Sequence, residues 1–292
     1  MLTVTASPSV LLLPPVVLDT AVDSKPHVSI PEVSHPQIAT EVRAPRREDL
    51  RLEAGAYVAR LALTEQERNA TYRLRFMVFN LELNEGLQSA YVDGYDKDKF
   101  DDVCDHLIVE EKTTGEIVGT YRIQMGDVAG RNFGYYSEQE FDFAPYEHMR
   151  SQIVELGRAC IRRDHRSPEV LNLLWRGIAR YSLMNGGRYM MGCCSLTSQN
   201  PDEGYGVHDS LKNWMAEDAL QTKAKGEFVM PERTCGASEE RAPKLLRAYL
   251  TIGAKICSGP AIDREFKTID FLTLLDLQTL HPRVAARFLE AR

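Results

Sequence analysis

Cysteine, tryptophan, basic charge and long apolar runs are all in short supply in this chain of 292 residues. Its six cysteines (Cys104, Cys160, Cys193, Cys194, Cys235, Cys257) are scattered, and no Cys-x-x-Cys pair occurs. Without that spacing neither a zinc knuckle nor a redox dithiol is expected, and reduced thiols in a reducing compartment are. The 35 Lys+Arg are outnumbered by 42 Asp+Glu, a formal charge of -7. That balance argues against nucleic acid as a partner, because phosphate binding needs a basic face. No stretch approaches the ~20 apolar residues of a membrane helix. The apolar run 10–17 is broken by Pro14 and Pro15 and has no Lys or Arg before it, so it is a poor signal peptide and suggests at most a weak contact with lipid. No Asp-x-Asp-x-Asp-Gly loop is present for calcium, and His106, His148, His165 and His208 lack metal-ligand spacing. No metal site is expected.

What remains is the composition of a globular protein, with 43% hydrophobic and 26% charged residues. Residues 1–50 hold seven of the fourteen prolines and no glycine, which predicts a disordered or loosely packed extension ahead of one domain over 51–292. Thr64-Glu-Gln-Glu67 is a capping box and starts a helix running to about residue 83, with Tyr72, Phe76, Phe79 and Leu83 on one face. Segments 103–111 and 117–125 read as a hairpin around the turn Thr113-Thr114-Gly115-Glu116. A third strand over 153–161, a helix over 168–185 closed by Gly186-Gly187 and a fourth strand over 189–196 follow. Helices near 207–220 and 242–254, a strand over 268–275 and a helix from Pro282 complete the chain. An antiparallel start followed by a strand–helix–strand crossover predicts an α/β fold with one mixed, mostly antiparallel sheet flanked by helices.

Charge is unevenly placed. Between residues 82 and 116 eleven acids face three lysines, while between 157 and 188 seven arginines face only Asp164 and Glu169. An acidic island could supply the counter-ion for an ammonium, and an arginine island could hold a phosphate. Either could equally be a solvated face.

Several motifs resemble the GNAT acyltransferases. The lead is Glu155-Leu-Gly-Arg-Ala-Cys-Ile161 followed by Arg162-Arg-Asp-His-Arg166 and a helix, which is similar to the strand, turn and helix that hold a pantetheine thioester in that superfamily. Arg75-Phe-Met-Val-Phe79, Gly119-Thr-Tyr-Arg122, the run 134–142, Leu174-Trp-Arg-Gly-Ile178 and Ile262-Asp-Arg-Glu-Phe266 extend the likeness over about 57–290. It points to the ornithine N-acyltransferase branch, also called hemolysin-like, with acyl-homoserine-lactone synthases as cousins. A GNAT-like fold is implied. So is a cytoplasmic enzyme, able to touch the inner membrane face, that moves a (3-hydroxy)fatty acyl group from acyl carrier protein to the α-amine of ornithine and yields lyso-ornithine lipid. No bound cofactor is implied, only a phosphopantetheine-linked thioester as co-substrate.

The usual Arg-x-x-Gly-x-Gly/Ala loop for the pyrophosphate of coenzyme A is absent: aligned on Arg166, the glycine positions hold Glu169 and Leu171. A carboxylate there would repel pyrophosphate, which favours a carrier protein as donor, although an acid in a first helical turn also suits the helix dipole. Arg122, Arg162, Arg163, Arg166 and Ser167 are the candidates for the carrier arm. Asp98 and Asp101, matched to carboxylates of the lactone synthase cousins, and Glu140 are the candidates for the acceptor. Glu155 is the candidate base or water-positioner, with Arg158 and Arg75 beside it; an ion pair with Arg75 or Arg122 is the alternative role for Glu155. Strand alternation puts Glu155 and Gly157 on one face and Arg158 with Leu156 on the other. Transfer to glycine, glutamine or tyrosine, or a non-catalytic lipid-binding or hemolysin-like role, are the competing functions.

Overall fold

Thr64 begins the first helix as the sequence implies: its hydroxyl accepts from the Glu67 amide while the Glu67 carboxylate accepts from Thr64. Helix α1 (Glu65–Arg75) then passes into a π-helical stretch, Phe76–Glu82. The wider turn rotates the apolar face, so Val78 and Asn80 are buried and Leu83, expected on that face, is exposed. The computed structural model describes residues 49–234 and 241–289. The expected N-terminal extension up to residue 48, with the apolar run 10–17, and Cys235 lie outside the described residues. Leu50 is buried in the core, so packing starts just ahead of the expected boundary.

Among the described residues nine strands make one sheet, and two of them precede anything read from the sequence. Strands β1 (Arg51–Ala54) and β2 (Tyr57–Leu61) form a short hairpin against β3 (Asp105–Glu111), which pairs with β4 (Ile117–Met125). Strand β5 (Ile153–Ile161) is antiparallel to β4 and parallel to β6 (Tyr189–Leu196). Next to β6 lies β9 (Thr268–Asp276), and the short strands β7 (Lys255–Ile256) and β8 (Ala261–Asp263) pair with its other side as the far edge. Only β5 and β6 run parallel, as the crossover predicts. The short helix α2 (Gly126–Arg131) follows β4 and went unread.

The crossover is α3 (Pro168–Met184), opened by Ser167, whose hydroxyl accepts from the Val170 amide, and by Pro168 at a position whose missing N–H costs nothing. Its buried stripe of Val170, Leu174, Ile178 and Tyr181 lies on one face of the sheet. At Gly177 a Cβ would meet the Leu107 methyls at 2.9 Å, so the glycine sets how closely helix and strand approach. Helix α4 (Pro201–Ser210) begins earlier than expected because Asn200 caps it, and it ends before the region near 220, which is 3₁₀ turns. Helices α5 (Lys244–Ile252) and α6 (Pro282–Phe288) fall where the sequence places them. Among the described residues no helix is long and apolar enough to cross a membrane.

Candidate active site

The parallel pairing of β5 with β6 stops after three residues. Ile153, Val154 and Glu155 face Tyr189, Met190 and Met191, and beyond them the two strands part. Two local features accompany the parting. Gly192 sits where a Cβ would collide with the Leu156 carbonyl oxygen. One step on, β5 carries an extra residue: Thr120 pairs with Cys160 and Arg122 with Gly157. The bulge is taken up by Arg158 at φ +50°, a left-handed conformation unusual for a residue with a side chain.

A cavity of about 300 Å³ occupies the gap. Sequence neighbours that point to opposite faces, Tyr121 with Arg122 and Cys193 with Cys194, both line it, so it passes through the sheet. On the α3 side its wall is apolar, built from Trp175, Ile178, Met190, Leu246, Leu275 and Phe288. On the other side the wall carries Arg122, Arg158, Glu155, Tyr136, Asp263 and Asp270.

Glu155 lies at the point of parting. Its carboxylate accepts the Tyr136 amide at 2.7 Å, the Ser137 amide at 2.8 Å and the Ser137 hydroxyl. Burial raises its pKa, and the Ser137 and Tyr136 donors hold part of that rise back. No ion pair links it to Arg75 or Arg122; the alternative role expected for it is not the one these contacts give.

Three aspartates of the acidic island are held in one buried lattice by Arg75, Arg122 and, from the arginine island, Arg158. Arg75, fully buried, reaches Asp96 at 2.9 Å and grips Asp101 through both terminal nitrogens at 2.7 and 2.9 Å. Arg122 reaches Asp98 at 2.7 Å and Asp101 at 3.4 Å, and Arg158 reaches Asp98 at 2.8 Å and Asp96 at 3.3 Å. Three arginines and three aspartates thus neutralise one another. Burial pushes the Asp101 carboxyl up, but Arg75 and Arg122 outweigh it and hold it well below the usual range; Asp98 is likewise lowered by Arg122 and Arg158. Neither aspartate lines the cavity, so the groups nominated for the acceptor are engaged with arginines beside it.

Arg158 corrects the strand alternation. Its guanidinium stacks 3.9 Å from the Phe266 centroid and 4.9 Å from that of Tyr136, on the face of Arg122 and Glu155 and not that of Leu156. The bulge is the cause, since one extra residue reverses the facing. Of the arm candidates only Arg122 reaches the cavity. Arg162 pairs with Glu116 and Asp164, and Arg166 grips Glu82 at 2.6 and 2.8 Å; Arg163 is exposed in a 3₁₀ turn ahead of α3, and Ser167 is that helix's cap. Cys193 and Cys194 fall on opposite faces as alternation predicts, and Cys104, Cys160, Cys193, Cys194 and Cys257 are free thiols. His106 packs edge-on against Tyr72, and burial pushes it down to about 4.

A second acidic group was missed apart from Glu140. An oxygen of Glu140, the Cys193 sulfur and an oxygen of Asp270 lie within 4.8 Å of one another. Asp270 Oδ1 and both Glu140 oxygens have no hydrogen-bond partner though buried. Burial, with repulsion from Asp263, pushes Asp270 up to about 7, and burial with Asp270 and Asp263 raises Glu140 well above its ordinary value. Asp263 accepts the Phe266 amide at 2.8 Å and the Tyr136 hydroxyl at 3.3 Å. The sequence signal was available: in Thr268–Asp276, TIDFLTLLD, Asp270 is a lone acid inside an apolar strand.

An acetyltransferase (GNAT) domain matches residues 74–176, the span from the end of α1 through the β3–β4 hairpin and β5 into the first half of the crossover helix. Match and fold together define an acyltransferase of the GNAT class. A protein of Agrobacterium fabrum (strain C58 / ATCC 33970) described as L-ornithine N(alpha)-acyltransferase is 30% identical over 252 residues, covering 78% of this chain and 84% of its own length. One of the same description from Rhizobium meliloti (strain 1021) is 32% identical over 242 residues, covering 77% and 81%. The chain belongs to the L-ornithine N(alpha)-acyltransferase family. Among solved structures the AHL synthase LasI is 15% identical, with 82% of this chain and 100% of that one covered at a TM-score of 0.47.

Proposed function

We infer that this acyltransferase moves a long (3-hydroxy)acyl group from the phosphopantetheine arm of acyl carrier protein onto the α-amine of ornithine, giving lyso-ornithine lipid. The observation that carries this is a cavity crossing a parted sheet, apolar on one face and acidic on the other. An apolar wall suits a fatty tail, an acidic wall suits an amine, and the opening between them is where the two would be joined. The relatives' descriptions supply the identity of the acceptor.

The donor assignment has support of its own. The Glu169 carboxylate lies against Gly55 in the β1–β2 turn, where a pyrophosphate-binding member of the superfamily would carry glycines. A hydroxylated chain is supported by polar groups in the apolar wall. Tyr121 and Tyr249 share one hydrogen bond, which leaves one hydroxyl hydrogen over. A donor without an acceptor in an apolar wall suits a chain that brings an oxygen. The product is amphiphilic, so work in the cytoplasm at the inner membrane face belongs to the same proposal.

In the mechanism that follows, the ammonium of the acceptor loses a proton to Glu155 or to water held by it. The free amine attacks the thioester carbonyl, and the oxyanion is met by a backbone amide of β5 past the parting. The C–S bond then breaks as the attacking nitrogen gives up its second proton and the amide forms, and the leaving thiolate takes up that proton. A raised carboxyl pKa serves this step, because a base works best when poised near the operating pH. Arg122 and Arg158, their charges matched by aspartates, frame the opening. A thiol-release assay with 3-hydroxyacyl carrier protein and a panel of amino acids tests the assignment: ornithine should be consumed ahead of glycine, glutamine and tyrosine, and equal turnover of glycine would overturn it.

A further inference from the structure

We propose that Asp270 and Glu140, with Asp263 beside them, form a subsite for a second ammonium, so that the enzyme selects acceptors carrying a side-chain amine. This deepens the proposed function and rests on it. Arg122 and Arg158 cannot serve these acids, since they are already matched within the lattice by Asp96, Asp98 and Asp101. Glu155 has three donors and Asp263 has two. Asp270 Oδ1 and the Glu140 oxygens take no donor from an arginine or a backbone amide and have only each other and the Cys193 thiol beside them, and both residues are more than nine-tenths buried.

Buried carboxylate oxygens without a donor are costly. Here they sit beside the cavity wall formed by Asp263, Asp270 and Cys193. Without a ligand the two carboxyls have only a proton to share between them, and a small cation entering through the cavity takes that proton's place. An ammonium suits better than a metal ion, because burial, with Glu140 and Asp270, keeps the Cys193 thiol protonated and so a poor ligand. The spacing also fits. Tyr136 gives its amide to Glu155 and its hydroxyl to Asp263, so the acceptor's reacting end and this acidic group lie about one tyrosine side chain apart. Two nitrogens at opposite ends of a short aliphatic chain match that separation. A neutral side chain would leave the acids only their shared proton, and an acidic one would add a third carboxyl to the group.

The experiment compares ornithine with norvaline, which has the same chain length without the side-chain amine, using full-length protein and an acyl carrier donor. Ornithine should be preferred by about 100-fold or more in kcat/KM, since a site built around a polar group rejects the analogue lacking it. Asp270→Asn and Glu140→Gln should each cut that ratio below about tenfold. Equal use of norvaline, or an unchanged ratio in both variants, overturns the subsite and leaves ornithine acylation standing. Thermal stabilisation of the wild-type chain is the second measurement and needs neither donor nor variant. Should no amino acid be acylated, stabilisation by ornithine and 1,4-diaminobutane but not norvaline would uphold the subsite while the transfer reaction fell; no stabilisation would sink both. Stoichiometric binding of Zn²⁺ or Mn²⁺ that Asp270→Asn abolishes would make the group a metal centre and overturn the proposal.

Discussion

Replacing Asp101 by Asn tests whether the arginine–aspartate lattice is a scaffold or part of the acceptor site. Asp101 takes two bonds from Arg75, a longer contact from Arg122 and the Asp98 amide at 2.8 Å. Asparagine keeps the shape and removes one negative charge from a buried set in which charges cancel, leaving a guanidinium short of its partner. Breaking one side of a buried pair costs about 3–5 kcal/mol. At about 2–4 °C per kcal/mol for a domain of this size, the melting temperature should fall by about 6–20 °C. Because Asp101 does not line the cavity, KM for the amino acid should change by less than about threefold. Arg75→Met should cost a similar amount, and the double variant should cost well under the sum, since neither partner is then left alone. A thermal scan and initial rates against acceptor concentration suffice. A melting temperature within about 2 °C of wild type, combined with a tenfold rise in KM, would show that Asp101 faces the substrate and would refute the scaffold assignment.

Three further outcomes follow from the same geometry. Glu155→Gln should lower kcat by about 10²-fold or more, and a near-normal rate would take Glu155 out of proton transfer. Asp270, pushed up to about 7 by burial with Asp263 and Glu85 around it, against hydrogen bonds to Ser195 and Glu140 that lower it, binds a proton more tightly folded than unfolded. Its stabilising contribution is thus complete below the unfolded pKa of about 3.9 and is lost as pH rises through about 7. Asp270→Asn should then raise the melting temperature at pH 8 more than at pH 5, and a uniform shift across pH would contradict this. Gly192→Ala places a methyl against the Leu156 carbonyl oxygen; an overpacking cost of about 1–3 kcal/mol is expected, with loss of acyl transfer, and full activity would mean that the close approach of Gly192 to Leu156 does not shape the cavity.

The elements nearest the cavity were the most readable. Strand β5 and the crossover helix α3 were legible from alternation, Ser167-Pro168 and Gly186, and β9 from its apolar run, because these signals are local. Strands β1 and β2, at four and five residues, were too short to show a period. The π-helical stretch left no mark either, since its residues also suit an α-helix. The acid and arginine islands were visible as composition, but their pairing joins residues as far apart as Asp98 and Arg158 and exists only after folding. The bulge was hidden for a related reason: a left-handed arginine has no signature as glycine would. Asp263 and Asp270 were overlooked because charge was sought in clusters, whereas a single acid within an apolar strand is the more informative sign.

The opening through the sheet also bears on how the product departs. On the proposed chemistry the new amide lies in the gap between β5 and β6, with its head among the acids and its tail along α3, α5 and α6. The finished molecule is threaded through the sheet like a stitch, and neither half can leave without the other following. If the head leads, the tail must slide out of its apolar channel at a cost of about 0.8 kcal/mol for every methylene that meets water. Turnover should therefore slow as the acyl chain lengthens even where bond formation does not, and an acceptor for the tail at the head-side mouth, such as a bilayer, would remove that dependence.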